Sequence, residues 1–361
     1  MTWRRTAALL ALVLTVAGCG RRTHVERDTS GAACMRLSSE RQVRGQTLCE
    51  DVFTCIRPPG GLVDRIGLRR LALCSGATGP VVLFLPGMHM NGEIGVTDAR
   101  YDLRLYLAQA GIRAWSLDYR THNVPADATQ DQLQALAGWT RSVFLKDADW
   151  AAAFVRGADP GPFYLAGFSY GASLAYALAS SGEPIAGLII IDGTPSGGRP
   201  PEGGGSAIDV AGSRITYADR ERLLKAVIAN PNSPSPIGGY STAGQALADI
   251  LYTSPAFGAQ GGLSAARSNV SDVRVVAHLL DTYDRWWPGA ASQGEATGGP
   301  HGRLPVLAFA SGNMGPAWVE QVRSGAKQFG GDKATVIDLL VGRLAAAEVF
   351  EPTRRWLMGG R

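Results

Sequence analysis

Charge is scarce in this chain: Asp, Glu, Lys and Arg make up 18% of its 361 residues, and lysine occurs only at 146, 225, 327 and 333. No basic run exceeds two residues, so the sequence carries no footprint for nucleic acid. No Gly-Lys-Ser or Gly-Lys-Thr follows a glycine loop, which excludes a phosphate loop of that type. There is no Cys-x-x-Cys pair and no His close to the cysteines, so zinc is excluded, and nothing in the sequence asks for another metal or a cofactor. The N-terminal apolar stretch, Ala7 to Ala17, has eleven residues, too few to span a bilayer. No internal repeat is present.

What is abundant is apolar material. Hydrophobic residues reach 45% with a mean hydropathy near zero, enough for a large core and too much for a disordered chain. The length allows two domains, or one α/β domain enlarged by an insertion.

The first eighteen residues read as an export signal and not as part of the fold. Arg4 and Arg5 form a short cationic head, the apolar stretch follows, and Val16-Ala-Gly-Cys19 closes it with small residues. That closing string resembles the bacterial lipobox, in which the cysteine is acylated and becomes the new N-terminus. Cys19 is therefore the expected lipidation site, and the resemblance implies an exported bacterial lipoprotein anchored to the cell envelope membrane, multiple acyl chains giving stable attachment. Without residues 1–18 the formal charge falls from +4 to +2, because Arg4 and Arg5 leave with them.

Four cysteines remain, Cys34, Cys49, Cys55 and Cys74. An even number in an exported chain suggests two disulfides, with three connectivities open, in a segment 19–79 that also carries the first strands. All four lie ahead of the main sheet, where they are expected to pin this N-terminal extension to the first strands.

From Pro80 onward buried strands alternate with helices. Val81 to Leu85 is a continuous apolar run ended by Pro86-Gly87, as in a strand buried on both faces. A helix is expected over 102–111, a strand over 112–117, a helix over 147–155, a strand over 163–166, a helix of small residues over 172–179 and a strand over 185–191. This order implies a parallel sheet wound by helices. The pattern breaks in the Gly- and Pro-rich stretches of 196–303, which read as an insertion carrying helices at 218–229 and 271–285. Strands are expected again at 304–310 and 334–340, then a last helix from Ala345 towards Leu357. The core is thus 80–195 and 304–361, with 196–303 as a cap. Trp286-Trp287 near the end of the cap suits packing between cap and core.

Chemistry concentrates in Gly167-Phe-Ser169-Tyr-Gly171. The pentapeptide follows a buried strand and precedes a helix of small residues, the setting in which a serine on a strained strand-to-helix turn becomes a nucleophile. Flanking glycines permit the tight turn. Helix N–H groups would then face an incoming oxyanion.

With this motif in this strand order, the chain from about Pro80 to Leu357 resembles an α/β-hydrolase. Leu85-Pro-Gly87-Met88 stands where that family places a turn supplying an oxyanion N–H, so the resemblance implies Met88 as one donor and Tyr170, the residue after the nucleophile, as the other. It also places the cap where 196–303 is inserted.

Chain order in the family runs Ser, then Asp or Glu, then His. The turn after the strand at 306–310, Ser311-Gly-Asn-Met-Gly315, holds no carboxylate, whereas Asp192 ends the preceding strand and is the candidate acid, with a plain turn residue as the alternative reading. The family's base lies after the final strand, but no His follows His301. Among His24, His89, His122, His278 and His301, the candidate base is His278 in the cap helix, with a half-buried helix histidine as its alternative. The sequence thus points to a serine hydrolase acting on an ester or related acyl bond, or, because the usual base is absent, to a hydrolase-like lipoprotein that binds a small-molecule or lipid-like ligand without turning it over.

Overall fold

Apolar residues that alternate along a strand whose every position is buried require cover on both faces, and that requirement organises the molecule. In the computed structural model of the chain, which describes residues 22–27, 33–95, 98–125, 127–136, 138–196, 216–253, 270–292, 304–330 and 334–359, β5 (Val81–Leu85) is buried throughout. Val82 and Phe84 enter one apolar cluster, and Val81, Leu83 and Leu85 enter the other.

The chain begins with four strands, β1 (Arg22–Arg27), β2 (Ala33–Val43), β3 (Gln46–Ile56) and β4 (Arg65–Leu73). After β5 come α1 (Leu103–Gln109), β6 (Arg113–Asp118), α2 (Gln130–Ala135), α3 (Arg141–Ala158), β7 (Phe163–Phe168), α4 (Tyr170–Ser180) and β8 (Gly187–Ile191). The inserted segment contributes α5 (Tyr217–Ala229), α6 (Ala243–Thr253) and α7 (Val273–Asp281). The chain finishes with β9 (Val306–Ser311), α8 (Pro316–Val322), β10 (Lys327–Phe329), α9 (Asp338–Val341), one π-helical turn at Ala346–Phe350 and α10 (Glu351–Leu357).

The ten strands of the described residues form one sheet, ordered β1-β2-β3-β4-β6-β5-β7-β8-β9-β10. The run from β6 to β10 is parallel, while β1 to β4 form an antiparallel meander whose last strand pairs antiparallel with β6. Strand order reverses at β5: β6 lies to one side of it and β7 onward to the other. Such a reversal opens a crevice at the carboxyl ends of the adjacent strands, where ligands of open α/β sheets bind.

One expectation is corrected here. Residues 334–340 do not form a strand; after β10 they make a buried turn and α9. The last strand is instead Lys327–Phe329, three residues of which two are exposed. A short buried apolar run is compatible with either geometry, and periodicity cannot choose between them.

The disulfides are Cys34–Cys55 and Cys49–Cys74. Cys34 and Cys55 face each other directly across β2 and β3, and Cys74 follows β4. Both bridges therefore lie within the N-terminal meander and tie its strands to one another. Its attachment to the parallel core is made by the β4–β6 ladder and by ion pairs: Arg57 with Asp147 at 3.1 Å, Arg69 with Asp118 at 3.0 Å, Arg70 with Asp159 at 2.6 Å and Arg120 with Asp64 at 2.6 Å. Arg57 also stacks its guanidinium over Trp150, 4.4 Å from the ring centroid.

The helices of the insertion pack into the same apolar cluster as α1 and one face of the sheet, through Leu223, Leu247, Val276 and Leu280 beside Phe84 and Phe168. Among the described residues no helix is long and apolar enough to cross a membrane. Residues 1–18 and Cys19 lie outside the described residues.

Candidate active site

Between β7 and α4 the chain turns through Ser169, whose φ of 51° and ψ of −115° are strained for any residue with a Cβ. The two glycines around it are steric necessities. A Cβ on Gly167 would stand 2.5 Å from Ala172 Cα, and one on Gly171 would stand 2.0 Å from the Leu85 carbonyl oxygen. The turn is held by Ser169 N–H donating to Ile191 O at 2.9 Å and by Ala172 N–H donating to Ser169 O at 3.0 Å. The Ser169 hydroxyl makes no hydrogen bond among the described residues and is partly exposed. Tyr170 opens α4, so its amide is one of those a helix leaves without an intrahelical acceptor.

The facing wall is the turn after β5. Met90 N–H donates to Gly87 O at 3.2 Å, closing a four-residue turn with Met88 and His89 at its centre, and His89 takes a φ of 61°. A Cβ on Gly87 would lie 3.4 Å from Ser169 Cβ, so the two loops are in contact. At the end of β8, Asp192 also has a positive φ, 50°. Of the four described non-glycine residues in this conformation, three thus lie in the turns that follow the neighbouring strands β5, β7 and β8; the fourth, Arg44, sits in the hairpin between β2 and β3. Strain of this kind, about 1–3 kcal/mol per residue, persists where the surroundings impose it and clusters at functional sites.

Asp192 is buried and its carboxylate accepts three hydrogen bonds. Oδ1 accepts from Ser311 N–H at 2.7 Å and Trp318 Nε1–H at 2.7 Å, and Oδ2 accepts from Ser311 Oγ–H at 2.8 Å. Burial raises its pKa despite these three donors. His278 lies half-buried in α7, and among the described residues no hydrogen bond joins it to Asp192 or Ser169. The acid and base nominated from the sequence are therefore not brought together as a dyad. His301 lies outside the described residues.

Where the family carries its base, after the last strand, the chain has the buried Asp338. It accepts from Thr335 N–H at 2.7 Å and Thr335 Oγ–H at 2.8 Å, and from Ser271 Oγ–H of the insertion. This stretch is an anchor between core and insertion.

A further residue converges on the site without having been singled out in the sequence. Asp284, just after α7, clamps His89 through its backbone: Asp284 N–H donates to His89 O at 2.6 Å, and His89 Nδ1 donates to Asp284 O at 3.0 Å. Its buried carboxylate accepts from Asn91 Nδ2 at 3.1 Å, Thr121 Oγ–H at 2.7 Å and His122 Nδ1 at 3.0 Å. Desolvation keeps the His89 imidazole neutral, lowering its pKa to about 3, with the cation of Arg220 adding to the effect. For His122 desolvation also acts downward, but the bond to Asp284 and the charges of Asp118 and Asp284 win and lift it to about 9. Beside them Trp287 fills the gap between insertion and core, its ring 5.0 Å from Phe144, 5.2 Å from Tyr170, 5.5 Å from Tyr119 and 5.7 Å from His89. The packing expected of Trp286-Trp287 is thus realised.

Set beside known proteins, residues 82–325 match the profile of the alpha/beta hydrolase family. The chain belongs to this family. No curated protein sequence matches it. A solved Sulfolobus solfataricus structure, proposed to be a lipase, superposes with a TM-score of 0.70 at 24% identity, covering 87% of this chain and 95% of that one. A brefeldin A esterase, a bacterial homologue of human hormone sensitive lipase, reaches 0.43 at 14% identity over 88% of this chain and 78% of its own. A thermostable carboxyl esterase from Bacillus coagulans reaches 0.37 at 13% identity over 90% and 98%. The first likeness supports the hydrolase fold; the other two lie too low to add to it. This chain has a strained serine turn between β7 and α4 and a tight turn after β5, and among the described residues Asp192 and His278 are not joined as a pair.

Proposed function

We propose that the protein is an exported, membrane-anchored serine hydrolase that cleaves an ester or related acyl bond of a small-molecule or lipid-like substrate. The observation that carries the reading is Ser169 itself: a partly exposed hydroxyl on a left-handed turn between strand and helix, with its partner loop in contact at Gly87. Ser169 Oγ attacks the acyl carbon while the amide N–H groups of Met88 and Tyr170 receive the developing oxyanion. The alcohol leaves, and water releases the acyl group from Ser169.

Anchoring rests on the signal-like N-terminus and the cysteine at 19, and two disulfides fit an oxidising compartment outside the cytoplasm. A second reading keeps the ligand but not the turnover, and what favours it is the commitment of Asp192 to Ser311 and Trp318.

A fluorophosphonate probe and short p-nitrophenyl esters separate the two. The hydrolase reading expects the wild type to label and turn over, and Ser169→Ala to do neither. A wild type that labels no faster than Ser169→Ala leaves the binding protein. Metabolic labelling with palmitate, lost in Cys19→Ser, tests the anchor.

A further inference from the structure

A serine hydroxyl needs a group to take its proton, and the four histidines with a described position differ sharply in their fitness for that work. His24 lies in β1 at the far edge of the sheet from β7. His122 hydrogen-bonds the Asp284 carboxylate and stays protonated through neutral pH, so it has no lone pair to offer. Among the described residues His278 makes no hydrogen bond that would orient its ring.

His89 differs from all three. Its Nδ1 faces the Asp284 carbonyl oxygen at 3.0 Å, and a carbonyl can only accept. The proton is therefore on Nδ1, and the lone pair is on Nε2, the tautomer a general base requires. The ring cannot swing freely, because the same residue also donates its N–H to His89 O at 2.6 Å and Trp287 packs 5.7 Å away. Placement is equally specific. His89 is two residues from Gly87, whose loop touches Ser169 Cβ, and both residues are of intermediate exposure. His89 takes a left-handed φ of 61° at the centre of this turn, a region uncommon for non-glycine residues.

We propose that His89 is the general base for Ser169, oriented by the backbone carbonyl of Asp284 instead of by a carboxylate side chain. The inference rests on the hydrolase reading above. The proton of Ser169 Oγ passes to Nε2 as the Oγ–C bond forms and the carbonyl electron pair moves onto oxygen. Collapse of that intermediate breaks the bond to the leaving alcohol, which takes the proton back from Nε2; water then repeats the sequence on the acyl-enzyme. The charged group facing the ring from the insertion is Arg220 of α5, which disfavours the imidazolium in the free enzyme. The oxyanion formed during attack opposes it at the moment the proton is transferred. Asp284 is a positioning residue, its side chain fixed by Asn91, Thr121 and His122.

The test measures fluorophosphonate labelling and ester turnover for wild type, Ser169→Ala, His89→Ala, His89→Gln, His278→Ala and His301→Ala, with melting curves for each. Expected is a loss of about 100-fold or more in labelling rate and kcat for both His89 variants with KM little changed. Added imidazole should partly restore His89→Ala and do nothing for Ser169→Ala. His278→Ala and His301→Ala should remain within about threefold of wild type. In wild type the acid limb of kcat/KM should fall below pH 5, as a base held neutral by desolvation requires. The assignment is overturned if His89→Ala labels like wild type, if the loss follows His278 or His301, or if the acid limb lies near 6.5. Should the His89 variants fail to fold, the wild-type acid limb decides alone. A wild type that labels no faster than Ser169→Ala defeats the hydrolase reading and the assignment with it; a labelling wild type with an equally reactive His89→Ala defeats the assignment only.

Discussion

His122 and Asp284 meet across the junction of core and insertion, ring nitrogen to carboxylate oxygen at 3.0 Å, and the same aspartate holds His89 through its main chain. One residue thus ties the insertion to the loop beside Ser169.

The pair carries a pH signature. His122 titrates near 6.5 when unfolded and at about 9 when folded, so its stabilisation is complete below pH 6.5 and is lost as pH rises through 9. The ring is about one-third exposed, 35% for its side chain, and solvent screening reduces the effect to on the order of 1 kcal/mol. Melting temperatures between pH 6 and 10 should fall more for wild type than for His122→Gln. Equal slopes would disprove the coupling.

Gly171→Ala places a methyl group 2.0 Å from a backbone oxygen of β5, which no rotamer change can relieve. Loss of several kcal/mol is expected, roughly 3 or more, from strain at a strand–helix contact. Denaturant unfolding measures it; a variant within 1 kcal/mol of wild type would show that β5 and α4 can separate at little cost.

Asp192→Asn should behave as a structural lesion. Its oxygen would still accept from Ser311 N–H and Trp318 Nε1–H, but its NH2 would replace the acceptor to which Ser311 Oγ–H now donates, so a destabilisation of about 1–3 kcal/mol is expected. Turnover per folded molecule should change less than about tenfold, against about 10⁴-fold for the orienting acid of a catalytic triad. A fall of the larger size with unchanged melting would restore Asp192 to the chemistry.

Each disulfide closes a loop whose ends are separated by 21 or 25 residues, worth roughly 3 kcal/mol in chain entropy. Reduction should lower the melting temperature, and peptide mapping without reduction should return Cys34–Cys55 and Cys49–Cys74. Because both bridges lie inside the meander, the proposed ester turnover, measured well below the transition, should survive reduction.

The parallel core was legible because strands covered on both faces must be apolar throughout, as Val81 to Leu85 and Gly187 to Ile191 are. The nucleophile turn was legible for a local reason, since its glycines answer to contacts within the turn and with the adjacent strand. The final strand escaped because Lys327 and Gln328 are exposed and three residues give no period to read. The clamp on His89 escaped for a different reason: it joins residues 195 apart through main-chain atoms of Asp284, and any residue but proline there would present the same N–H and C=O.

The seam between the N-terminal meander and the core has a chemical bias with a consequence of its own. Among the described residues, every ion pair across it, at Arg44, Arg57, Arg69, Arg70 and Arg120, uses a guanidinium, and none uses an amine or an imidazole. Guanidinium does not give up its proton at any pH a living cell meets, and amine-directed acylating or cross-linking reagents leave it untouched. Alkali and lysine modification should therefore leave the meander docked, and the seam can be electrically silenced only from the carboxylate side, by acid.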